Sequence, residues 1–280
     1  MNLIDCHSHT HNSPDGDGSV LSMCRRAMEL GLKAYAVTDH CEVNRFYSSD
    51  TYTATPKEYD TYDFGIDFEK SMEENTKVKN KLGEKLNFIC GIELGQATFD
   101  MELADKIVSD PRLDFILGSV HQIPDAEDFA FIDYNTADAT VLLERYFDEM
   151  IKLCRWGKFD VLSHLTYALR YMEGEKGLRI DMTPYQEKIR TIFTLLIQSG
   201  KGIEINTSGF RQKYGKPLPT LDYIKLFREL GGEVLSVGSD SHFVTDLGKN
   251  IRDGAEMAKE AGFKYLCYFK ERKPRFIPID

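Results

Sequence analysis

Apolar positions along the chain fall into two alternating rhythms. Short runs rich in β-branched and aromatic residues recur at 3–9 (LIDCHSH), 34–40 (AYAVTDH), 87–93 (NFICGIE) and 115–121 (FILGSVH). Three more follow at 159–164 (FDVLSH), 202–208 (GIEINTS) and 234–240 (VLSVGSD). Their length, and the Gly, Asp and Asn residues that bound them, predict strands rather than helices. Between them the apolar period lengthens to that of a helix. Residues 19–31 open on Ser19, a candidate N-cap, and stop at Gly31. In 140–157, Leu142, Tyr146, Met150 and Leu153 share one helical face. Residues 183–200 offer Thr183 as cap and Pro184 at the first helical position. Segments 221–232 and 248–262 repeat the pattern.

Strands alternating with helices imply a parallel sheet with helices packed outside it. Seven such units, with no abrupt change of composition, favour one α/β domain over 1–280. The expected form is a closed, distorted (β/α)7 barrel of TIM-like type, with an open doubly wound sheet as the alternative. Neither a G-x-G-x-x-G nor a P-loop signature is present, which argues against dinucleotide and P-loop nucleotide sites. One stretch breaks the rhythm. Residues 42–68 are polar and tyrosine-rich, and a connection of that length is usually functional or mobile. Following the second strand, it is expected to project over the C-terminal face of the barrel, as a substrate wall or lid or as a plain insertion.

Composition narrows the field. The chain is 42% hydrophobic and 29% charged, as in ordinary globular enzymes. Its six cysteines are scattered without a C-x-x-C pair, so zinc-finger and thioredoxin readings find no support. No signal-like segment precedes the first strand and no apolar run approaches ~18 residues, so the expectation is a reduced, cytoplasmic protein with no membrane partner. A formal charge of −10 disfavours a nucleic-acid partner. The basic cluster at 270–275 (KERKPR) reads as a solvated tail. The same acidic field repels anions at long range, so any phosphate site must supply its own positive charge.

The chemistry sits at the strand ends. His7 and His9, His40, Glu93, His121, His164, Glu204 and Asn206, and Asp240 with His242 each close a strand-like run. In parallel α/β barrels the C-terminal ends of the strands converge on one mouth. Residues two apart on a strand face the same way, so His7 pairs with His9 and Asp240 with His242. A single such histidine is most often a satisfied buried polar group. Six of the chain's seven histidines at equivalent positions point instead to metal. Imidazole with carboxylate suits zinc, iron or manganese. The candidates exceed the ~4–6 ligands of one ion, which implies at least two. Cys6 and Cys90 stand at odd offsets from His7 and Glu93 and are expected to pack towards the helices, while parity says less about Cys41.

The ordered motifs DCHSHTHNSPDG, VTDH, GIELG, GSVH, LSH and GSDSH resemble those of the PHP (polymerase and histidinol phosphatase) superfamily along the whole chain. That resemblance implies three divalent ions (zinc, iron or manganese) on a distorted seven-stranded barrel. It assigns His7, His9, Glu93 and Asp240 to the first ion. Glu93 would bridge to a second ion completed by His121 and His164, and Asp15, His40 and His242 would hold the third. Asp15 stands where the family often has histidine, and His11 falls outside the pattern. The chain is most similar to stand-alone histidinol-phosphate phosphatases, through SVHQI, EINTSGFRQ, its length and the long insertion. The implied reaction is hydrolysis of L-histidinol phosphate to L-histidinol and phosphate, in histidine biosynthesis. The alternatives are a phosphoesterase acting on nucleotides or nucleic-acid ends and, less favoured because every expected ligand is competent, a non-enzymatic metal-binding module.

For the reaction, a hydroxide bridging two ions is expected to attack phosphorus in line, with the third ion on a phosphate oxygen. Asp240, His242, Arg170 and Arg211 form the expected catalytic set. Arg170 and Arg211 lie just past the fifth and sixth strands, and guanidinium matches phosphate geometry. Arg45 is a third candidate for the substrate, and Gln122 and Asn206 are expected to orient substrate or water. Tyr47, Tyr52, Tyr59 and Phe64 are available to wall the imidazole and amine. The expected partner is a small phosphorylated substrate; the sequence carries no sign of oligomeric state.

Overall fold

The computed structural model describes residues 1–43 and 67–280. Arg45, Tyr47, Tyr52, Tyr59, Phe64 and most of the 42–68 stretch lie outside the described residues. Seven parallel strands run in sequence order: β1 Ile4–Asp5, β2 Ala34–Glu42, β3 Phe88–Gly95, β4 Phe115–Ser119, β5 Val161–Leu162, β6 Gly202–Asn206 and β7 Leu235–Gly238. The sheet closes on itself through backbone bonds beyond the regular ladder. Cys6 N–H donates to Val237 O (2.9 Å), Asp240 N–H to His7 O (2.8 Å) and His9 N–H to Ser241 O (2.8 Å). The expected barrel is therefore present, with the open sheet set aside.

Helices α1 Val20–Glu29, α2 Glu69–Leu82, α3 Met101–Val108, α4 Ala139–Trp156, α5 Gln186–Gln198, α6 Leu221–Glu229 and α7 Ile251–Glu260 occupy the crossovers among the described residues. Ser19 caps α1 as its position suggests, its hydroxyl accepting from Ser22 N–H. Thr183 does not cap α5. It opens a 3-10 turn, Thr183–Tyr185, whose Thr183 N–H is taken by Asp181 Oδ1 at 2.9 Å. The 3-10 turn leads into the helix, and neither element has a side-chain cap. All six cysteines, Cys41 included, are buried and outside any disulfide, which places them with the packing residues.

The chain's end departs from the solvated tail that its charge suggests. Strands β8 Tyr265–Lys270 and β9 Lys273–Pro278 form an antiparallel hairpin. Glu271 and Arg272 make its turn, both at positive φ (52° and 59°), the backbone a tight two-residue hairpin needs. Leu266, Cys267 and Phe269 are buried, and Phe269 stacks on Phe115 at 5.2 Å. The turn then serves two buried carboxylates that precede β4 and β5. Arg272 Nε donates to Asp160 Oδ2 (2.6 Å) and Glu271 N–H to Asp114 Oδ1 (3.0 Å). Those acids cannot be buried unpaired, so the basic turn closes the end of the barrel opposite the histidines.

Candidate metal centre

Glu93 stands at the centre of the mouth. The β2–β3 register sets His40 directly opposite it, and β4 and β5 deliver His121 and His164 just past their ends. Closure of β7 against β1 brings Asp240 beside His7. Asp240 holds a positive φ of 51°, a left-handed conformation uncommon for a non-glycine residue. The first-motif loop folds back so that Asp17 N–H reaches His242 O at 2.7 Å, which carries Asp15 to the rim.

Three groups of ligand atoms result. In the first, His7 Nε2 lies 3.1 Å from His9 Nε2, 3.3 Å from Glu93 Oε2 and 3.6 Å from Asp240 Oδ1. His9 Nε2 is 3.5 and 3.4 Å from the same two oxygens. Ligands ~2.0–2.1 Å from a tetrahedral zinc would be spaced by about 3.3 Å. In the second, Glu93 Oε1 lies 3.1 Å from His121 Nε2 and 2.8 Å from His164 Nε2, themselves 3.2 Å apart. The third is looser and nearer the surface: Asp15 Oδ2 is 3.1 Å from His242 Nε2, and Asp15 Oδ1 is 3.7 Å from His40 Nε2. The structure thus brings all nine expected ligands together. His11 is turned away, paired with Glu74 at 2.8 Å.

Hydrogen bonds behind the ring fix which nitrogens face inward. His7 Nδ1 is 2.7 Å from Glu204 Oε1, a carboxylate that can only accept, so the proton is on Nδ1 and Nε2 presents its lone pair. His9 Nδ1 meets Ser13 Oγ at 3.3 Å, and the Ser13 hydroxyl itself donates to Asp39, which leaves the His9 Nε2 lone pair inward as well. With both rings neutral, two lone pairs and two carboxylate oxygens converge with no donor among them, a set that either a proton or a metal cation satisfies. Imidazoles backed by carboxylates in this way are typical of metal ligands. Buried Asp15 Oδ1 has no hydrogen-bond partner among the described residues, which fits the same reading at the third group.

Glu42 and Glu204 have no place in the ligand pattern expected from the sequence, yet both hold the ring. Glu42 Oε1 lies 3.0 Å from His121 Nδ1 and 3.2 Å from His40 Nδ1, while Gln96 Nε2 donates to its Oε2 at 2.6 Å. Besides His7, Glu204 accepts from His164 N–H (3.0 Å) and Asn206 Nδ2 (3.1 Å). Strand parity is the signal for both: Glu42 is two beyond His40, and Glu204 two before Asn206. Glycines make the room. A Cβ at Gly238 would meet Glu204 Oε1 and His7 Cβ at 2.3 Å, and one at Gly95 would meet Glu42 Oε2 at 2.0 Å.

The carboxylates set the field. Burial alone would lower His7 and His121, but Glu204, Glu93 and Asp240 around His7, and Glu93 and Glu42 around His121, hold both well above the usual imidazole value. His40 is raised to about 9 against its burial, chiefly by Asp15 and Glu42. His9 is lowered to about 3 by burial and by neighbouring His242 and His40. Burial would raise Glu42, Glu93 and Asp240, but adjacent imidazoles overcome it, bringing Glu42 to about 2 and the other two well below the carboxylate range. The ring therefore attracts positive charge.

The two arginines expected for phosphate both reach Asp240. Arg170, in a π-helical stretch after β5, donates through Nη2 to Asp240 Oδ2 (3.0 Å) and Ser208 Oγ (2.6 Å). Arg211 Nη2 donates to Asp240 O at 2.8 Å. Arg170 Nε and Arg211 Nη1 are buried with no hydrogen-bond partner among the described residues, leaving N–H donors on each for an anion. Asn206 is placed differently from a substrate contact. It is fully buried, its Nδ2 on Glu204 and Asp240 (3.3 Å) and its Oδ1 on Ser208, so it steadies the ring from behind. Gln122 Nε2 donates to Ala126 O (2.6 Å) and ties down the loop after β4.

A model of the PHP domain matches residues 5–208, nearly three quarters of the chain. The chain belongs to the PHP domain family. Among curated PHP relatives, it is 25% identical over 280 residues to a histidinol-phosphatase of Lactococcus lactis, covering 98% of this chain and 96% of that one. It is 24% identical over 265 residues to a probable histidinol-phosphatase of Thermotoga maritima, 95% of each chain being covered. The fold superposes on the crystal structure of histidinol phosphate phosphatase from Lactococcus lactis, complexed with zinc, L-histidinol and phosphate, with a TM-score of 0.77 at 23% identity, covering 98% and 99% of the two chains. A putative histidinol phosphatase from Listeria monocytogenes gives a TM-score of 0.68 at 19% identity, over 89% and 99%. Among the described residues of this PHP chain, no helix is long and apolar enough to cross a membrane.

Proposed function

We propose that the chain is a metal-dependent phosphomonoesterase that hydrolyses L-histidinol phosphate to L-histidinol and inorganic phosphate. The observation that carries this is Glu93, whose two oxygens serve two separate sets of imidazoles while two arginines gather on the neighbouring Asp240. The names of the curated relatives, and the ligands in the Lactococcus lactis structure, support the choice of substrate.

In this reading His7, His9, Glu93 and Asp240 hold one divalent ion, Glu93 with His121 and His164 a second, and Asp15, His40 and His242 a third, with zinc, iron or manganese as candidates. When bound, such ions lower the pKa of water towards ~7 and neutralise charge on phosphoryl oxygens. The protein's own groups do the rest. Glu204 keeps a proton on His7 Nδ1, and Glu42 does the same for His121 Nδ1, so the Nε2 atoms stay available. Arg170 and Arg211 offer N–H donors to the phosphoryl oxygens and hold Asp240 in its left-handed conformation. His242 stands near the rim, its Nε2 3.1 Å from Asp15 Oδ2. Residues 1–280 form one phosphatase domain, with Gln122 close to the substrate.

The test is a screen of metal-loaded protein for phosphate release from L-histidinol phosphate, mononucleotides, 5′-phosphorylated oligonucleotides and generic monoesters. A clear preference in kcat/KM for L-histidinol phosphate is expected. A preference for nucleotides or nucleic-acid ends would replace this substrate, and no turnover of any ester would leave only a metal-binding module.

A further inference from the structure

Beside the ligand ring, Asp128 forms no ion pair with any Lys, Arg or His among the described residues. It lies in the loop after β4, partly open to solvent. Its Oδ1 accepts from Ala130 N–H at 2.7 Å and from the Tyr167 hydroxyl at 3.1 Å. Tyr167 links this acid to the metal ligands. Its ring centroid stands 4.9 Å from that of His121 and 4.8 Å from that of His164. The Arg170 guanidinium lies 5.2 Å from the same ring centroid, and the Tyr171 hydroxyl donates to the Tyr167 hydroxyl at 3.1 Å. One aromatic ring thus has ligand imidazoles and a phosphate-type arginine at its faces and an acid at its hydroxyl.

We propose that Asp128, with the Tyr167 hydroxyl beside it, is the subsite for the ammonium group of the substrate's amino-alcohol tail. The inference rests on the reading of the site as an L-histidinol-phosphate phosphatase and adds the residue that reads the tail. In such a substrate one methylene separates the ester oxygen from the carbon bearing the ammonium. A phosphoryl group on the ligand ring and Arg170 therefore leaves the ammonium beside Tyr167, within reach of a carboxylate at its hydroxyl. Cationic Arg170 and anionic Asp128 are set for the two ends of a zwitterion. A neutral or anionic tail leaves the acid unpaired, and an unpaired partner in a partly buried site is what rejects a wrong substrate.

The experiment compares kcat/KM for L-histidinol phosphate and for 3-(imidazol-4-yl)propyl phosphate, which lacks only the amine, in wild type and Asp128→Asn. Asparagine keeps the Oδ1 acceptor of the Ala130 turn and removes the charge, and bound metal is quantified in both proteins. The wild type is expected to prefer the amine-bearing ester by about tenfold or more, the usual scale of a charged hydrogen bond. In D128N that ratio is expected to collapse towards one. A ratio retained in D128N overturns the assignment of Asp128 while leaving the phosphatase intact. A wild type that turns over phenyl phosphate but shows no preference for L-histidinol phosphate over either ester overturns the substrate reading, and this subsite with it.

Discussion

A carboxylate has two oxygens, each able to accept from more than one partner, so it can serve two sites at once without moving. Glu93 is placed for that, Oε2 towards His7 and His9 and Oε1 towards His121 and His164. At this scale most of the ligand set was legible before the fold, because strand parity sends His7 with His9 and Asp240 with His242 to one face. Glu42 and Glu204 were harder to see. Nothing in their own motifs separates a carboxylate behind an imidazole from one that binds a ligand. Glu204→Gln tests that supporting role: metal affinity is expected to fall about 10–100-fold, measured by competition with a chromogenic chelator. Unchanged affinity would remove Glu204 from the ring. Arg211 is tested by R211A, expected to raise KM for L-histidinol phosphate about tenfold or more while bound metal stays constant; steady-state kinetics identical to wild type would exclude it from phosphate binding.

Among the elements, register does what the motifs alone cannot. The eight-residue pairing of β2 with β3 places His40 opposite Glu93, and the three bonds joining β1 to β7 bring the first and last motifs together. The seven strands were legible from their spacing. The β8–β9 hairpin was not, because its turn is made of charged residues that read as a tail; only the buried Asp114 and Asp160 reveal why the charge is there. Gly238 shows that some spacing in β7 is kept for the site rather than for the strand. Its φ is unremarkable, so the constraint is space, taken by Glu204 and His7. Gly238→Ala is expected to cost about 1–3 kcal/mol of stability, the scale of overpacking, and to lower metal affinity at least tenfold. Urea unfolding together with a metal titration checks both; normal affinity in a folded G238A protein would show that the Glu204–His7 contact is not needed.

For the whole molecule, a chain with formal charge −10 gathers two arginines and a ring of metal-type ligands at one mouth. Arg170 and Arg211 alone do not balance the carboxylates of Asp15, Glu42, Glu93, Glu204 and Asp240 around them. Protons on His7, His40 and His121 offset part of that charge in the metal-free ring, and divalent ions in their place make the mouth more positive towards a phosphate monoester. The barrel and its functional face were legible because composition and rhythm run uniformly along the chain, whereas the wall that reads the substrate's tail depends on Asp128 and Tyr167, which come from different loops. The measurement that bears most directly on this account is phosphate release from L-histidinol phosphate by one preparation in three states: metal-loaded, exhaustively chelated, and reconstituted with zinc, iron or manganese. The account predicts turnover in the loaded protein, its loss on chelation and its return with at least one of the three metals. Full turnover in protein shown to be free of metal would contradict it.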